Sequence, residues 1–166
     1  MRRKNALGKG KAMVYLITHG ERTNGLDPAH TPNGLNQIKA LVPLIPQNIA
    51  LIVAGTGKRF LEILEIVRQK LPKSEVKYSP FCGGPEGYEE PDIVVLPDGR
   101  RVDYHKEYLG ISNGPVDMWQ FVWTLPPNTL LCSGGALMIG LGLKSINQRA
   151  QLYELNPSIN NGRKIS

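Results

Sequence analysis

Residues 13–20, Met-Val-Tyr-Leu-Ile-Thr-His-Gly, are the stretch from which the fold of this 166-residue chain is best inferred. An uninterrupted apolar run such as Met13–Ile17 is typical of a strand buried on both faces of a parallel sheet. The run stops at Thr18, and a polar turn places His19 at the carboxyl end of the predicted strand. Ligands of open α/β sheets bind at these strand ends, so His19 is the first candidate for a reactive side chain.

The chain then alternates between short apolar runs and amphipathic segments, which is typical of an α/β domain. Thr31 is predicted to cap a helix beginning at Pro32, and Pro43 to end or bend that helix. Further strands are expected at 50–54, 75–78, 129–132 and 152–155, with helices over 60–71, after Asp117, and from Gly135 to about Arg149. The turn residues 97–100, Pro-Asp-Gly-Arg, predict a hairpin between short strands at 93–96 and 101–104.

Composition divides the chain into three parts. Of the net charge of +6, five positive charges precede residue 12, so residues 1–11 are expected to be a basic flexible tail. Residues 12–156 are predicted to form one domain, and residues 157–166 a polar C-terminal tail. The apolar runs are far shorter than the roughly 20 residues that span a bilayer, and no secretory signal is recognisable. A cytoplasmic protein without a membrane partner and with two reduced cysteines is therefore expected.

Polar and glycine residues follow three of the predicted strands, at 18–22, 55–59 and 132–135. Together they supply an imidazole, two guanidiniums, a lysine, hydroxyl groups and the free amides of helix N-termini. Such groups bind phosphate, because arginine binds phosphate oxygens in pairs and helix N-termini present N–H groups to anions. We predict that Arg22, Lys58, Arg59, Ser133 and Gly134 bind phosphate. No spacing typical of a metal site is present, so neither a metal nor another cofactor is expected.

Four segments in the right order resemble the histidine phosphatase superfamily. Residues 14–23 are similar to its opening strand and histidine motif, and 30–37, His-Thr-Pro-Asn-Gly-Leu-Asn-Gln, to its Leu-Thr-x-x-Gly-x-x-Gln helix start. Residues 53–59 and 130–135 resemble its two further phosphate-binding strand ends, and 151–155 its closing strand. The resemblance implies a phosphoglycerate mutase-like fold: a three-layer α/β/α sandwich with a mostly parallel central sheet, here with a β-hairpin insertion near 93–104.

The same resemblance implies catalytic roles. His19 would be the nucleophile that takes the phosphoryl group, and Arg59 would hold the phosphate. The sequence departs from the pattern at Thr18, where an arginine is expected, and at Ser133, where a second histidine is expected. Cys82 stands at the place of the acid that protonates the leaving group. Three glutamates nearby are candidate substitutes: Glu86, Glu89 and Glu90.

Two functions follow as hypotheses. The first is hydrolysis or transfer of phosphate from a small phosphomonoester through a phosphohistidine. The second is a catalytically degenerate member that binds a phosphorylated ligand or a protein partner without turnover. Nucleic acid is not expected as a partner, because no recognition motif accompanies the basic tail. His30 and His105 are predicted to be surface or loop residues, while the substrate and the oligomeric state are left open.

Overall fold

The computed structural model describes residues 13–84, 93–95, 101–103 and 118–166. Six strands form the central sheet: β1 (Val14–Thr18), β2 (Leu51–Ala54), β3 (Glu75–Tyr78), β6 (Thr129–Ser133), β7 (Leu152–Asn156) and β8 (Asn161–Lys164). Two more strands pair separately: β4 (Ile93–Val95) and β5 (Arg101–Asp103). The helices are α1 (Pro32–Leu41), α2 (Lys58–Lys70), α3 (Met118–Trp123) and α4 (Gly135–Gly140), with 3₁₀ turns at Val42–Leu44 and Pro80–Cys82.

The sheet has the strand order β3-β2-β6-β1-β7-β8. The first four of these strands are parallel, and β7 and β8 add an antiparallel edge. In the parallel part Thr18 pairs with Ser133 and Ala54 with Cys132, so β1, β2 and β6 end side by side. The loops that carry the predicted phosphate-binding residues therefore begin at one edge of the sheet, as expected for a doubly wound fold.

Helices cover both faces of the sheet. Neighbouring residues of β1 point to opposite sides, so Ile17 packs against α1 and α2 while Leu16 packs against α3 and α4. Both side chains are fully buried. This two-sided burial explains the continuous apolar run of β1 and confirms the three-layer α/β/α sandwich with a mostly parallel sheet.

Helix α1 begins and ends as the sequence predicts. The Thr31 hydroxyl accepts a hydrogen bond from the Gly34 N–H at 3.0 Å, and Pro32 occupies the first turn. At the other end the chain tightens into the 3₁₀ turn that contains Pro43. The Lys70 Nζ at the end of α2 donates to the carbonyls of this segment, including that of Val42 at 2.9 Å. Lys70 thus joins the C-terminal ends of the two helices.

Two segments differ from the prediction. Residues 157–166, predicted as a polar tail, contain β8, whose backbone pairs with β7 from Tyr153↔Lys164 to Asn156↔Asn161. An edge strand of this kind is held by main-chain hydrogen bonds, so its polar side chains gave no strand pattern. The helix predicted to reach Arg149 ends at Gly140. Gly142 follows with a φ of +76°, a backbone conformation that stops a helix.

The hairpin predicted near 93–104 is confirmed by the antiparallel pairing of Ile93 with Asp103 and of Val95 with Arg101. Its turn at 97–100, the Asp117 cap and the basic segment 1–11 lie outside the described residues. Within the ranges that the structure describes, no helix has the length and apolar character needed to cross a bilayer.

Replacing Lys70 with methionine tests the link between the two helix ends. The variant keeps most of the aliphatic stem but leaves backbone carbonyls without their charged donor. We expect a loss of about 1–2 kcal/mol in the free energy of unfolding, measured by urea denaturation. The exposed Lys73→Met is the control and should change stability by less than about 0.5 kcal/mol. Equal stability of the two variants would contradict the account.

Candidate active site

A cleft of about 470 Å³ opens at the edge where β1, β2 and β6 end. Five of the sequence-predicted site residues line it: His19, Arg22, Arg59, Ser133 and Gly134. Lys58 is exposed and is not among the lining residues; its backbone N–H donates to Asp27 Oδ1 at 2.8 Å. The candidate acids Glu86, Glu89 and Glu90 lie outside the described residues. The structure thus brings together the strand-end residues and leaves Lys58 beside the cleft.

The hydrogen bond at His19 Nδ1 identifies which ring nitrogen carries the proton. Nδ1 lies 2.9 Å from the Gly20 carbonyl oxygen. A carbonyl only accepts, so Nδ1 carries the hydrogen and Nε2 of the neutral ring has a free electron pair. Among the described residues, none donates a hydrogen bond to Nε2. Nε2 is therefore the unprotonated nitrogen of the neutral ring.

The surroundings also keep the imidazole neutral. Burial lowers the pKa of His19 to about 4, chiefly because the charged ring would lose its hydration. The hydrogen bond to Gly20 raises the pKa, whereas the positive charges of Arg59 and Arg22 lower it further. At neutral pH the ring is uncharged, which a nitrogen nucleophile requires.

The absence of a side chain at Gly134 leaves room beside His19 Nε2. A Cβ at this position would lie 3.1 Å from His19 Nε2 and 2.7 Å from His19 Cδ2. The 2.7 Å distance is shorter than real Cβ atoms show and the 3.1 Å distance is tight, so glycine at this position keeps the wall beside Nε2 free of a side chain. Gly134 also precedes α4 as its N-cap residue, without a side-chain cap.

Arg59 provides the deepest charge in the cleft. It lies in the first turn of α2 and is only 7% exposed. Its guanidinium carbon is 4.2 Å from the centre of the Phe60 ring, a favourable cation–π distance. The Phe60 ring in turn lies 5.9 Å from the His19 ring, between centroids. Phe60 therefore holds the cation and the imidazole in place on the same wall of the cleft.

Thr18 and Ser133, which stand where the resemblance expects an arginine and a histidine, connect backbone segments. The Thr18 hydroxyl accepts from the Gln151 N–H at 2.9 Å, which joins the end of β1 to the residue before β7. The Ser133 hydroxyl donates to the Cys82 carbonyl at 2.6 Å. Both side chains are buried, and burial raises the pKa of the Cys82 thiol, which therefore stays protonated.

Sequence reasoning missed one cation of the cleft. Arg149 was assigned to the end of a helix, but it lies on the loop 145–149, whose residues line the cleft. The Gln148 Oε1 on this loop accepts from the Arg22 N–H at 3.0 Å, and the Gln148 carbonyl accepts from Gln37 Nε2 at 3.3 Å. No local sequence pattern predicts that a loop arginine will line a cleft. Arg149 reaches the cleft because the chain returns to this edge of the sheet. The described lining thus contains three arginines and neither aspartate nor glutamate.

His30 was predicted to be a surface or loop residue; it lies in the segment before α1, but it is buried and not at the surface. This side chain is fully buried beneath the His19 turn, where its Nε2 accepts from the Gly20 N–H at 2.9 Å. Its Nδ1 lies 2.9 Å from Glu62 Oε1. The sequence offered one signal: His30 occupies a position where the resembling pattern has leucine, which is a core residue. A polar side chain at a core position needs a partner, and here Glu62 and Gly20 provide it.

Comparisons with known proteins show which fold this is. No family model and no curated protein matches the sequence. Among solved structures, the protein histidine phosphatase SixA complexed with tungstate covers 93% of this chain and 94% of its own, with a TM-score of 0.56 and 14% identity. A mycobacterial glucosyl-3-phosphoglycerate phosphatase covers 92% and 96%, with a TM-score of 0.55 and 11% identity. The chain has the histidine phosphatase fold.

A third structure extends this likeness. The phosphoserine phosphatase from Entamoeba histolytica, in complex with 3-phosphoglyceric acid, covers 93% of this chain and 95% of its own at a TM-score of 0.51 and 17% identity. The histidine phosphatase fold thus accounts for almost the whole chain. At identities this low the likeness concerns the fold, and the chemistry has to be argued from the residues of this site.

The lowered pKa of His19 predicts how stability depends on pH. Between about pH 4 and pH 6.5 the unfolded histidine binds a proton that the folded one does not, so stability falls as the pH falls through this window. His19→Asn keeps a donor near the Gly20 carbonyl but removes the titration. Relative to this variant, the free energy of unfolding of the wild type should fall by roughly 2–3 kcal/mol between pH 7.5 and pH 4. Urea unfolding at several pH values measures this, and a pH-independent difference between the two proteins would contradict it.

Proposed function

We propose that this protein hydrolyses, or transfers, the phosphate of a small phosphomonoester through a phosphohistidine at His19. The observation that carries the proposal is the neutral imidazole with its free Nε2 in a cleft lined by arginines. Phosphoryl transfer depends mainly on positioning and on neutralising charge, and the described cleft has groups for both.

The reaction proceeds in two displacements. In the first, the Nε2 electron pair attacks phosphorus, an N–P bond forms, and the P–O bond to the leaving group breaks. The leaving oxygen takes a proton from an acid, a role for which Glu86 and Glu89 are candidates by position in the sequence. In the second, water attacks phosphorus and gives a proton to the carboxylate that the first step left deprotonated; the N–P bond breaks, inorganic phosphate leaves and Nε2 regains its electron pair. Dividing one displacement into two in this way is the general advantage of covalent catalysis.

The arginines are assigned to the phosphate. Arg59, buried in the cleft, is proposed to hold the non-bridging oxygens during transfer, and Arg22 and Arg149, which line the same cleft and are more exposed, are proposed to attract the anion. Ser133 and Gly134 border the same space. The Ser133 hydroxyl hydrogen already bonds Cys82, so this residue serves the phosphate less well than a histidine would. Lys58, outside the lining, remains a peripheral candidate.

A second candidate function, binding without turnover, is favoured by the same replacements. Thr18 and Ser133 use their hydroxyls within the fold, so neither restores the charge expected at its position. Loss of one preorganised electrostatic donor typically costs about 10²–10³ in rate. With two such losses, slow turnover is expected. Anion binding is less affected, because three arginines line the cleft.

Formation of a phosphoenzyme distinguishes the two functions. We expect the wild type to hydrolyse p-nitrophenyl phosphate slowly and to yield an acid-labile phosphoryl group on His19, detected by mass spectrometry of the quenched enzyme. His19→Asn should give neither, because its amide has no nucleophilic electron pair. Arg59→Met should reduce the rate about 10²–10³-fold. Arg68→Met, an exposed arginine on the same helix, is the matched control and should leave the rate unchanged. Equal rates for the wild type and His19→Asn would exclude the enzymatic function.

Ligand-induced stabilisation tests the binding step separately. Orthovanadate at about 100 times its Kd should stabilise the folded protein by roughly 2.7 kcal/mol, because it binds the native state alone. The shift in Tm should be lost in Arg59→Met and kept in Arg68→Met. Stabilisation without a phosphoenzyme would support the binding function. No stabilisation of the wild type would contradict an anion site in this cleft.

A further inference from the structure

A chain of hydrogen bonds leads from Glu62 to the reactive imidazole. Glu62 Oε1 accepts from the backbone N–H of His30 at 2.8 Å and lies 2.9 Å from His30 Nδ1. On the other side of the ring, His30 Nε2 accepts from the Gly20 N–H at 2.9 Å. An amide N–H only donates, so Nε2 is unprotonated and the hydrogen of the neutral ring is on Nδ1, toward Glu62. The carboxylate therefore selects the tautomer that accepts from Gly20.

The next peptide of the turn is held by a second side chain. Gln37 Oε1 accepts from the Glu21 N–H at 3.0 Å and from the Ala150 N–H at 3.2 Å. In a trans peptide the C=O and N–H groups point in opposite directions, so holding the Glu21 N–H directs the Gly20 carbonyl toward His19 Nδ1. A Cβ on Gly20 would collide with Gln37 Oε1, which explains the glycine. Both peptide planes around Gly20 are thus fixed, one by His30 and one by Gln37.

We propose that His30, anchored by Glu62, is a positioning residue that fixes the Gly20 turn and thereby keeps the proton of His19 on Nδ1 and off Nε2. The catalytic meaning of this arrangement rests on the proposed function, since it concerns the nucleophile. The arrangement itself is a property of the folded protein and can be measured without turnover.

The choice of histidine at this position has a physical reason. In the helix-start pattern that residues 30–37 resemble, position 30 is leucine, which accepts no hydrogen bond. Leucine here would leave the Gly20 N–H, now bonded to a buried ring, without that partner, and an unsatisfied buried amide is unfavourable. The His19–Gly20 peptide would then be free to rotate, and the Gly20 carbonyl would be held toward Nδ1 through Gln37 alone. His30 removes this freedom, and Glu62 supplies the acceptor that its own Nδ1–H needs.

The hydrogen bond from the Gly20 N–H to His30 Nε2 forms only while His30 is neutral. A protonated ring has a hydrogen on Nε2 and cannot accept this bond. Burial, the largest cause, lowers the pKa of His30, and the charge of Arg59 lowers it as well. Glu62 opposes both through its hydrogen bond and its negative charge. Together with His19, whose ring centroid is 6.2 Å from that of His30, these are the ionisable groups recorded around the ring. His30 is therefore neutral at neutral pH, and its Nε2 accepts from the Gly20 N–H.

Nitrogen NMR of the histidine rings tests the proposal. Long-range ¹H–¹⁵N spectra of labelled full-length protein at pH 7.5 report which nitrogen of His19 is protonated, and a pH titration gives its pKa. His30→Leu removes the acceptor, whereas His30→Gln places an amide oxygen where Nε2 was. Glu62→Leu removes the anchor, and Glu62→Gln keeps an acceptor for His30. Glu65→Leu, at an exposed position of the same helix, is the matched control.

We expect the wild type, His30→Gln, Glu62→Gln and Glu65→Leu to show His19 as the Nδ1–H tautomer. In His30→Leu and Glu62→Leu the share of this tautomer should fall to about half or less. The pKa of His19 should fall further below that of a free imidazole, because the hydrogen bond to Gly20 that raises it is lost. If His30→Leu does not fold, the comparison of Glu62→Leu with Glu62→Gln tests the proposal. The Glu62 side chain is 27% exposed, so its replacement disturbs the core less than that of the buried His30. An unchanged His19 tautomer in the leucine variants, or an Nε2–H tautomer in the wild type, would overturn the proposal. A wild type with the expected tautomer but no turnover would contradict the proposed enzymatic function alone.

Discussion

The hydrogen bond between His19 Nδ1 and the Gly20 carbonyl is the interaction on which the rest of this site depends. Because it fixes the proton on Nδ1, it leaves Nε2 as the nitrogen with a free electron pair. Burial and the nearby arginines keep the ring uncharged, so the electron pair is available at neutral pH. The glycine at 134 leaves room beside Nε2, and His30 with Glu62 holds the turn from beneath. Each of these features acts on the same nitrogen.

The second determinant is the geometry of the sheet. Parallel strands that end side by side bring together segments far apart in sequence: the His19 turn, the start of α2 with Arg59, and the Ser133–Gly134 turn. The loop 145–149, where the chain returns to the sheet edge, adds Arg149 to the lining. Thr18 and Ser133, at paired positions of β1 and β6, join strands and loops instead of adding charge. The described lining therefore contains three arginines but neither a carboxylate nor the second histidine of the resembling pattern, and for this reason both slow turnover and binding alone are proposed.

The sequence predicted what local chemistry determines. The apolar run before His19, the Thr31 cap and the effect of Pro43 all follow from nearest-neighbour rules, and each is found. Features that depend on long-range pairing were missed. The polar strand β8 is held by backbone hydrogen bonds to β7, Arg149 reaches the cleft only through the path of its loop, and His30 is buried because Glu62, 32 positions further along, supplies its partner. None of these partners can be read from a local window of sequence.

The most direct test of the account is a crystal structure of the protein soaked in orthovanadate or tungstate. The account predicts that the metal atom of the oxyanion lies within bonding distance of His19 Nε2 and that its oxygens accept hydrogen bonds from Arg59. Such a structure would show the oxyanion bound between His19 and Arg59. An anion held only by Arg22 and Arg149 at the mouth of the cleft, with Nε2 protonated or turned away, would contradict it.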